Sequence, residues 1–202
     1  MSGPAPAPAP APGPVPVWNI ANILTMSRLV MVPLFVVFMF LEHPAWRFAA
    51  FAVFVIAAIT DRVDGELARR RNLVTDFGKI ADPIADKALT GAALVVLSLL
   101  GELWWWVTIA ILVREWGITG VRFAVIKYGV IPASRGGKLK TVLQVVAISV
   151  YLFPLPEPLH IVAHVLMAVA LAVTLWTGGD YVVQALRLRR SARAGAPGAS
   201  GA

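Results

Sequence analysis

The 202-residue sequence contains no cysteine and few charged side chains. The absence of cysteine excludes disulfides, thiolate metal sites and cysteine nucleophiles. Charged residues make up only 14% of the chain against 58% hydrophobic residues, a composition too apolar for a water-soluble domain. The sequence therefore predicts an integral membrane protein. Because no room remains for a separate soluble module, we expect no nucleic-acid partner.

The first 17 residues alternate proline with alanine and glycine. Such a composition adopts extended chain and cannot form a packed core, so residues 1–17 are predicted to be a disordered tail. The tail has neither a positively charged start nor an apolar segment, so we do not expect a cleaved signal peptide. Residues 191–202 are predicted to be a second disordered tail, which leaves residues 18–190 as the membrane domain.

Six apolar runs follow the first tail. They cover residues 28–41, 46–60, 88–100, 104–126, 139–153 and 159–186. A transmembrane helix needs about 20 apolar residues, so the shorter runs must extend into polar sequence, most clearly the second and third into residues 61–87. Residues 18–25 are predicted to form a short interfacial helix with Trp18 at headgroup level. The predicted fold is therefore all-α, with six transmembrane helices and a short N-terminal interfacial helix.

Basic residues are distributed unevenly over this topology. With six spans, both termini and the second and fourth loops lie on one face, and most of the 18 Lys and Arg residues fall there. The opposite loops hold Arg47 as their only basic residue. By the positive-inside rule, the basic face is predicted to be cytoplasmic, with both termini on that side of the cell membrane.

Four aspartates flank the loop between the second and third runs. Asp61 and Asp64 are three residues apart, and Asp82 and Asp86 are four apart, so each pair lies on one face of its helix. Antiparallel neighbouring helices would bring the four carboxylates together near the cytoplasmic membrane surface. An acid at the centre of a span costs about 2.5 to 3.5 kcal/mol, so such a cluster requires protons or cations to neutralise it.

Oxygen ligands without a nearby His or Cys favour Mg²⁺, Mn²⁺ or Ca²⁺, and four carboxylates suit a site for two ions. The alternative for any single aspartate is a solvated carboxylate, paired with a basic neighbour such as Arg62, Arg70 or Lys87. Two correctly spaced pairs, with glycines beside them that let a ligand approach the backbone, are hard to explain in that way.

The same region resembles the signature of the CDP-alcohol phosphotransferase family. It matches at every fixed position: Asp61-x-x-Asp64-Gly65-x-x-Ala68-Arg69, eight residues, then Gly78-x-x-x-Asp82-x-x-x-Asp86. Residues 19–28 are similar to the family's entry to the first helix. Arg114-Glu115 and residues 137–141 are similar to the branch that makes phosphatidylglycerophosphate, although Ala21 stands where that branch commonly has proline.

The resemblance implies the chemistry and the roles of individual residues. Two divalent ions, Mg²⁺ or Mn²⁺, would bind the diphosphate of a CDP-linked lipid while an alcohol displaces CMP. Asp61, Asp64 and Asp82 would be metal ligands, and Asp86 would be both a ligand of the second ion and the general base. The implied nucleotide-binding residues are Gly65, Ala68, Arg69 and Gly78, with Thr25 and Thr75 as further candidates.

The acceptor alcohol needs recognition chemistry of its own. Candidate acceptor-binding residues are Arg114, Arg122, Lys138 and Lys140, a basic set that suits an anionic acceptor such as glycerol 3-phosphate. Arg114 lies within an apolar run, where a cation is a functional hypothesis by default and an internal pair with Glu115 is the alternative. For Lys138 and Lys140 the alternative is contact with lipid headgroups.

We therefore predict a membrane enzyme that transfers the phosphatidyl group of CDP-diacylglycerol to glycerol 3-phosphate, giving phosphatidylglycerophosphate and CMP. The resemblance further implies a homodimer surrounded by membrane lipids. Two alternatives remain open. The first is the same chemistry with another acceptor, namely phosphatidylglycerol as in cardiolipin synthesis, inositol phosphate or serine. The second is a divalent-cation transporter that uses the acids as its ion site.

Overall fold

The computed structural model describes residues 20–70, 76–125 and 135–194. Over these ranges the chain forms six α-helices and no strand, which confirms the all-α prediction for the described residues. The helices are α1 (Ile20–Met39), α2 (Pro44–Arg70), α3 (Asp76–Leu99), α4 (Trp105–Val125), α5 (Arg135–Leu152) and α6 (His160–Ala194). A 3-10 turn, Glu157–Leu159, leads into α6.

Each apolar run corresponds to one of these helices, and the polar extension of the second and third is confirmed. α2 continues to Arg70 and α3 begins at Asp76, so all four aspartates of the signature lie on helices. α6 continues to Ala194 and so includes the first four residues, 191–194, of the predicted second tail. Residues 1–17 and 195–202 lie outside the described part of the chain.

The prediction of a separate interfacial helix before the first span is wrong for the residues described there. Ile20 to Thr25 are the first residues of α1, which runs without interruption to Met39 and includes Pro33. The physical reason is local: no proline or glycine lies between Ile20 and Pro33, so nothing interrupts the backbone hydrogen bonds of one continuous helix.

The outer surface of the helices is apolar. Large side chains such as Val30, Val113, Phe123 and Trp176 are more than half exposed, as expected for a surface in contact with lipid. By length and composition, the segments Pro44–Asp61 and Glu157–Arg189 could each cross a membrane. The chain is therefore a membrane protein, and the count of six spans stays a prediction because the other apolar helical segments are shorter.

The connection between α3 and α4 is a tight turn that requires glycine. Gly101 has φ +75°, a left-handed conformation that favours glycine. The amide of Gly101 donates to the carbonyl of Ser98 at 3.1 Å, and the amide of Glu102 donates to that of Leu97 at 2.9 Å. This pair of bonds is the Schellman motif, which satisfies the last carbonyls of α3 and ends the helix there.

The helices pack in two groups that share a single core. α1 packs mainly on α2 and α3, while α6 packs on α4 and α5, and α5 also contacts α2 and α3. The largest fully buried apolar side chains of the core are Phe35, Phe54, Leu94, Leu97, Ile111, Ile148, Leu152 and Met167. The rings of Phe35 and Phe54 meet with their centroids 6.0 Å apart, which ties α1 to α2.

An ion pair closes the end of the bundle at which α2 begins. Arg47 donates from Nη1 to Glu102 Oε1 at 2.7 Å, and its Nη2 donates to the second carboxylate oxygen of Glu102. Its Nε and Nη2 also donate to the backbone carbonyls of Leu152 (3.1 Å) and Tyr151 (2.9 Å). One guanidinium therefore connects α2, the turn after α3 and the end of α5.

Candidate active site at the polar end of the bundle

The interior becomes polar toward the opposite end. Thr25, Arg28, Lys140 and Gln144 are buried there, each with at most 7% of its surface exposed, and Asp61 is half-buried beside them. We call the region around these five residues the polar end. Short connections make successive helices antiparallel, so the start of α1, the end of α2 and the start of α5 lie at this end together. Buried polar groups are costly without partners, which makes this end the candidate site.

Asp61 is held by a cation that lies deeper in the bundle. Arg28 on α1 is 2% exposed, and its Nη1 donates to Asp61 Oδ1. A small cleft opens beside the pair, and α3 and α5 contribute to its wall. The cleft is lined by Arg28, Ala58, Asp61, Leu89, Thr90, Thr141 and Val145. Of the residues predicted from the signature, Asp61 is thus shown in the bundle interior next to open space.

The positions of the other aspartates continue the spacing of buried residues farther along their helices. On α2, Ala50, Phe54 and Ala57 are fully buried, and positions 61, 64 and 68 continue their spacing of three and four residues. On α3, positions 82 and 86 precede the buried residues Leu89 and Ala93 at the same spacing. All four signature positions therefore belong to stripes that face the core farther along the same helices.

The structure describes several predicted site residues only as helix positions. The side chains of Asp64, Asp82 and Asp86 lie outside the description, so the clustering of the four carboxylates stays a prediction. The same holds for the side chains of Arg69 and Lys138, while Gly65, Ala68 and Gly78 are placed as positions on α2 and α3. Thr75 lies outside the described residues, and Thr25 is buried on α1. Among the side chains that are described, no three metal-binding groups lie together.

A second charged cluster surrounds Glu115. Arg114 Nη1 donates to Glu115 Oε1 at 3.2 Å, and Lys140 Nζ donates to the same oxygen. Arg114 and Lys140, two of the four residues predicted to bind the acceptor, therefore share one carboxylate. Lys140 precedes Thr141, which lines the cleft at Asp61, so α5 joins the two charged clusters. Arg122 is exposed near the end of α4 and does not belong to the described contacts of Glu115.

Arg114 is also fitted closely against α6. Its Nε donates to the carbonyl of Thr174 and its Nη2 to Thr177 Oγ1, both at 2.9 Å. A methyl group at Gly178 would come within 3.0 Å of Nε and 3.1 Å of Cγ of Arg114. The missing side chain at Gly178 therefore makes the notch in which the arginine lies. Arg114 therefore makes the internal pair with Glu115 that was the alternative to acceptor binding. It also bonds to two threonines of α6.

Sequence reasoning missed three charged groups of this region. Arg28 was treated only as part of the first-helix entry, Glu115 only as the neighbour of Arg114, and Lys87 only as a surface partner of an aspartate. Lys87 Nζ instead donates to Thr119 Oγ1 and lies 5.5 Å from the ring centre of Trp116. A signal for Arg28 was available, because Thr25, Arg28, Phe35 and Met39 follow the spacing of one buried helix face.

The model of the CDP-alcohol phosphatidyltransferase family matches residues 18–176 of the chain, which include the signature and both charged clusters. The chain belongs to the CDP-alcohol phosphatidyltransferase family. The match covers most of the membrane domain and ends within α6, beside the threonines that contact Arg114. Family membership therefore links the signature at residues 61–86 to phosphatidyl transfer, which residue spacing alone did not show.

Curated members of this family are similar over most of their length. A probable phosphatidylglycerophosphate synthase of Mycobacterium tuberculosis is 56% identical over 172 residues, covering 84% of this chain and 82% of that protein. The CDP-diacylglycerol–glycerol-3-phosphate 3-phosphatidyltransferase of Bacillus subtilis is 35% identical, covering 81% and 93%. The enzyme of the same name from Rickettsia typhi is 36% identical, covering 81% and 94%.

Proposed function

We propose that this protein transfers the phosphatidyl group of CDP-diacylglycerol to glycerol 3-phosphate, with phosphatidylglycerophosphate and CMP as products. The observation that carries the proposal is the position of Asp61. It is the first aspartate of the family signature, and it lies half-buried beside a cleft at the polar end. Family membership and the names of the relatives support the transferase chemistry and the choice of acceptor.

The donor set fits two hard divalent ions. Asp61, Asp64, Asp82 and Asp86 would supply carboxylate oxygens of the kind that Mg²⁺ and Mn²⁺ prefer. Arg28 holds the carboxylate of Asp61 in the structure, so an ion at Asp61 would share this carboxylate with the guanidinium. When bound, the ions would neutralise the charge of the lipid diphosphate and of the departing CMP.

The proposed reaction is a displacement at phosphorus. The oxygen of a hydroxyl group of the acceptor bonds to the phosphorus of the phosphatidyl group, and the bond from that phosphorus to the oxygen of CMP breaks. The hydroxyl proton passes to the carboxylate of Asp86, the proposed general base. Gly65, Ala68, Arg69 and Gly78, on the same stretch of α2 and α3, are proposed to bind the nucleotide, together with Thr25 and Thr75.

The acceptor phosphate is proposed to bind at the Glu115 cluster. Lys140 and Arg114 hold positive charge at Glu115, and Lys140 directly precedes Thr141, which lines the Asp61 cleft. Arg122, about two turns beyond Arg114 on α4, and Lys138, two residues before Lys140 on α5, are proposed to extend the basic surface. An anionic acceptor gains from this charge, whereas a neutral acceptor such as serine has less use for it.

The length of α2 supports a site at the membrane surface. Its apolar segment, Pro44–Asp61, has 18 residues and spans about 27 Å, close to the thickness of the hydrocarbon core. Asp61 is therefore proposed to lie at the membrane interface, where a lipid donor and water-soluble reactants can meet. We further propose that this face is cytoplasmic in the cell membrane, in accord with the basic loops, and that the enzyme works as a homodimer.

The decisive experiment supplies the purified protein with radiolabelled CDP-diacylglycerol and Mg²⁺, and one acceptor at a time. We expect CMP release and labelled phosphatidylglycerophosphate with glycerol 3-phosphate, and little product with phosphatidylglycerol, inositol phosphate or serine. Product from another acceptor at a higher kcat/KM would reject the proposed acceptor. Mg²⁺ flux into liposomes without any CDP-lipid, and no CMP release with any alcohol, would favour the transporter instead.

The role of Asp86 can be tested separately. Asp86→Asn removes the proton acceptor, so we expect kcat to fall by about a thousandfold or more. Equilibrium binding of CDP-diacylglycerol should persist, because the other three carboxylates remain. Turnover within a few-fold of the unaltered protein would reject Asp86 as the general base.

A further inference from the structure

Arg28 is buried in an unusual place for a cation. It lies on α1 inside the bundle, 2% exposed, at the same end as the aspartates of the signature. A buried guanidinium is strongly destabilising unless an anion balances it. Asp61 supplies that anion through the contact between Nη1 and Oδ1. The chain therefore contains a resident cation bound to a carboxylate that the proposed function assigns to a metal ion.

A metal ion and a guanidinium on one carboxylate repel each other. Divalent ions bind carboxylate oxygens at about 2.0 to 2.6 Å, so an ion on Asp61 would lie within a few ångströms of Arg28. At such a distance, and away from bulk water, the repulsion between a unit and a double positive charge is large compared with thermal energy. Either the guanidinium moves away when the ion binds, or the ion binds more weakly.

The ion pair of Arg28 and Asp61 borders a small cleft. Thr90 and Thr141 line it together with Arg28 and Asp61, so both partners of the ion pair border the same open space. Arg47, at the opposite end, is different. It is held by both oxygens of Glu102 and by two backbone carbonyls, an arrangement that fixes helices in place.

We propose that Arg28 is a built-in competitor of the divalent ions for Asp61. It balances the charge of this carboxylate before the ions bind and lowers their affinity. This inference rests on the proposed metal site, but it assigns to Arg28 a role that the site itself does not require. Arg28 is a positioning residue in this account, because it acts on the ions through Asp61.

The test measures Mn²⁺ binding to the purified protein without substrate, by electron paramagnetic resonance of free Mn²⁺. We expect Arg28→Gln to bind Mn²⁺ at least about tenfold more tightly, equivalent to about 1.4 kcal/mol. Arg28→Lys keeps the charge and should stay within about threefold of the unaltered protein. Arg47→Gln is the matched control, with reduced thermal stability and unchanged Mn²⁺ affinity. Unchanged or weaker binding by Arg28→Gln would overturn the inference.

A second measurement uses the unaltered protein, so it does not depend on the folding of Arg28→Gln. With ¹⁵N-labelled arginine, the side-chain Nε resonance of Arg28 is assigned by its absence in Arg28→Lys. Saturating Mg²⁺ should shift this resonance and leave that of Arg47 in place. An Arg28 resonance that does not respond to saturating Mg²⁺ would also overturn the inference.

The two proposals fail in different ways. If the unaltered protein binds no Mn²⁺ and Asp61→Asn changes nothing, the metal site is rejected, and the competition is rejected with it. If the unaltered protein binds Mn²⁺ in a manner that Asp61→Asn abolishes, while Arg28→Gln has no effect, the metal site stands and only the role of Arg28 is rejected.

Discussion

The two ends of the α1 and α2 pair use the same helical stripes for opposite purposes. Toward one end, Phe35 and Phe54 are fully buried against each other. Toward the other, the same stripes carry Arg28 and Asp61 as an ion pair beside a cleft. Packing therefore places polar groups in the interior at one end just as it places rings at the other. Positions that would stabilise the bundle if apolar hold charges instead, as expected where function outweighs stability.

The two arginine–acid pairs sharpen this comparison. Arg47 and Glu102 meet through two parallel contacts, with backbone carbonyls around them, so the pair fastens helix ends. Arg28 and Asp61 are of the same chemical kind, but the positions of three further aspartates lie on the adjoining turns of α2 and α3. The residue types of an ion pair alone do not show whether its role is structural or functional. The residues around the pair indicate that role.

The largest expected difference between the two ends appears when one acid is replaced at each, because one change should affect activity and the other stability. Asp61→Asn should lower kcat/KM by about a thousandfold or more and abolish stimulation by Mg²⁺, because a proposed metal ligand is lost. Glu102→Gln should keep activity within about threefold and lower the stability by about 1 to 3 kcal/mol. CMP release and thermal denaturation in the same detergent measure both. Mg²⁺-stimulated turnover in Asp61→Asn would contradict the assignment.

The contact between Phe35 and Phe54 should affect stability and not chemistry. Phe54→Ala removes a fully buried ring, so we expect the free energy of unfolding to fall by about 3 to 5 kcal/mol. The kcat per folded molecule should be nearly unchanged. Phe123→Ala is the matched control, because Phe123 is 70% exposed on the outer surface. Denaturation midpoints of the two variants are compared with that of the unaltered protein. Equal midpoints would show that Phe54 does not belong to the core.

A change at Arg114 tests whether the Glu115 cluster takes part in acceptor binding. Arg114→Ala should raise the KM for glycerol 3-phosphate about tenfold, the value of one charge-assisted contact. The KM for CDP-diacylglycerol should change little. Arg187→Ala, an exposed arginine farther along α6, is expected to change neither constant. A larger effect on the lipid donor than on the acceptor would remove Arg114 from the acceptor site.

The smallest expected effect compares two neighbouring glycines of α6. Gly178→Ala would press against Arg114, whereas a methyl group at Gly179 meets nothing within 4 Å. Both changes gain helix propensity, up to about 1 kcal/mol, so the difference between them isolates the contact with Arg114. We expect Gly178→Ala to be about 1 kcal/mol less stable than Gly179→Ala and to raise the acceptor KM a few-fold. Equal stability and equal acceptor KM in the two variants would show that Arg114 does not need the space at Gly178.

Much of the fold was accessible from the sequence because the apolar runs are separated by clear breaks. The extension of α2 and α3 into polar sequence was predicted and is confirmed, since the runs were too short to span a membrane unaided. The start of α1 was predicted wrongly, because an interfacial tryptophan suggests a separate helix but cannot interrupt one. Arg28 follows the spacing of the buried face of α1, but its pairing with Asp61 depends on how α1 packs against α2, which local pattern does not show.

The sequence by itself determined the helices, the apolar outer surface and the spacing of the four aspartates, because periodicity and composition are properties of single segments. Only the tertiary structure decided which charges meet: Arg28 with Asp61, Arg47 with Glu102, and Lys140 and Arg114 with Glu115. All but the adjacent Arg114 and Glu115 are at least 25 residues apart in the chain. The physical reason is that buried charges choose partners by distance in the packed bundle, and helix packing fixes that distance.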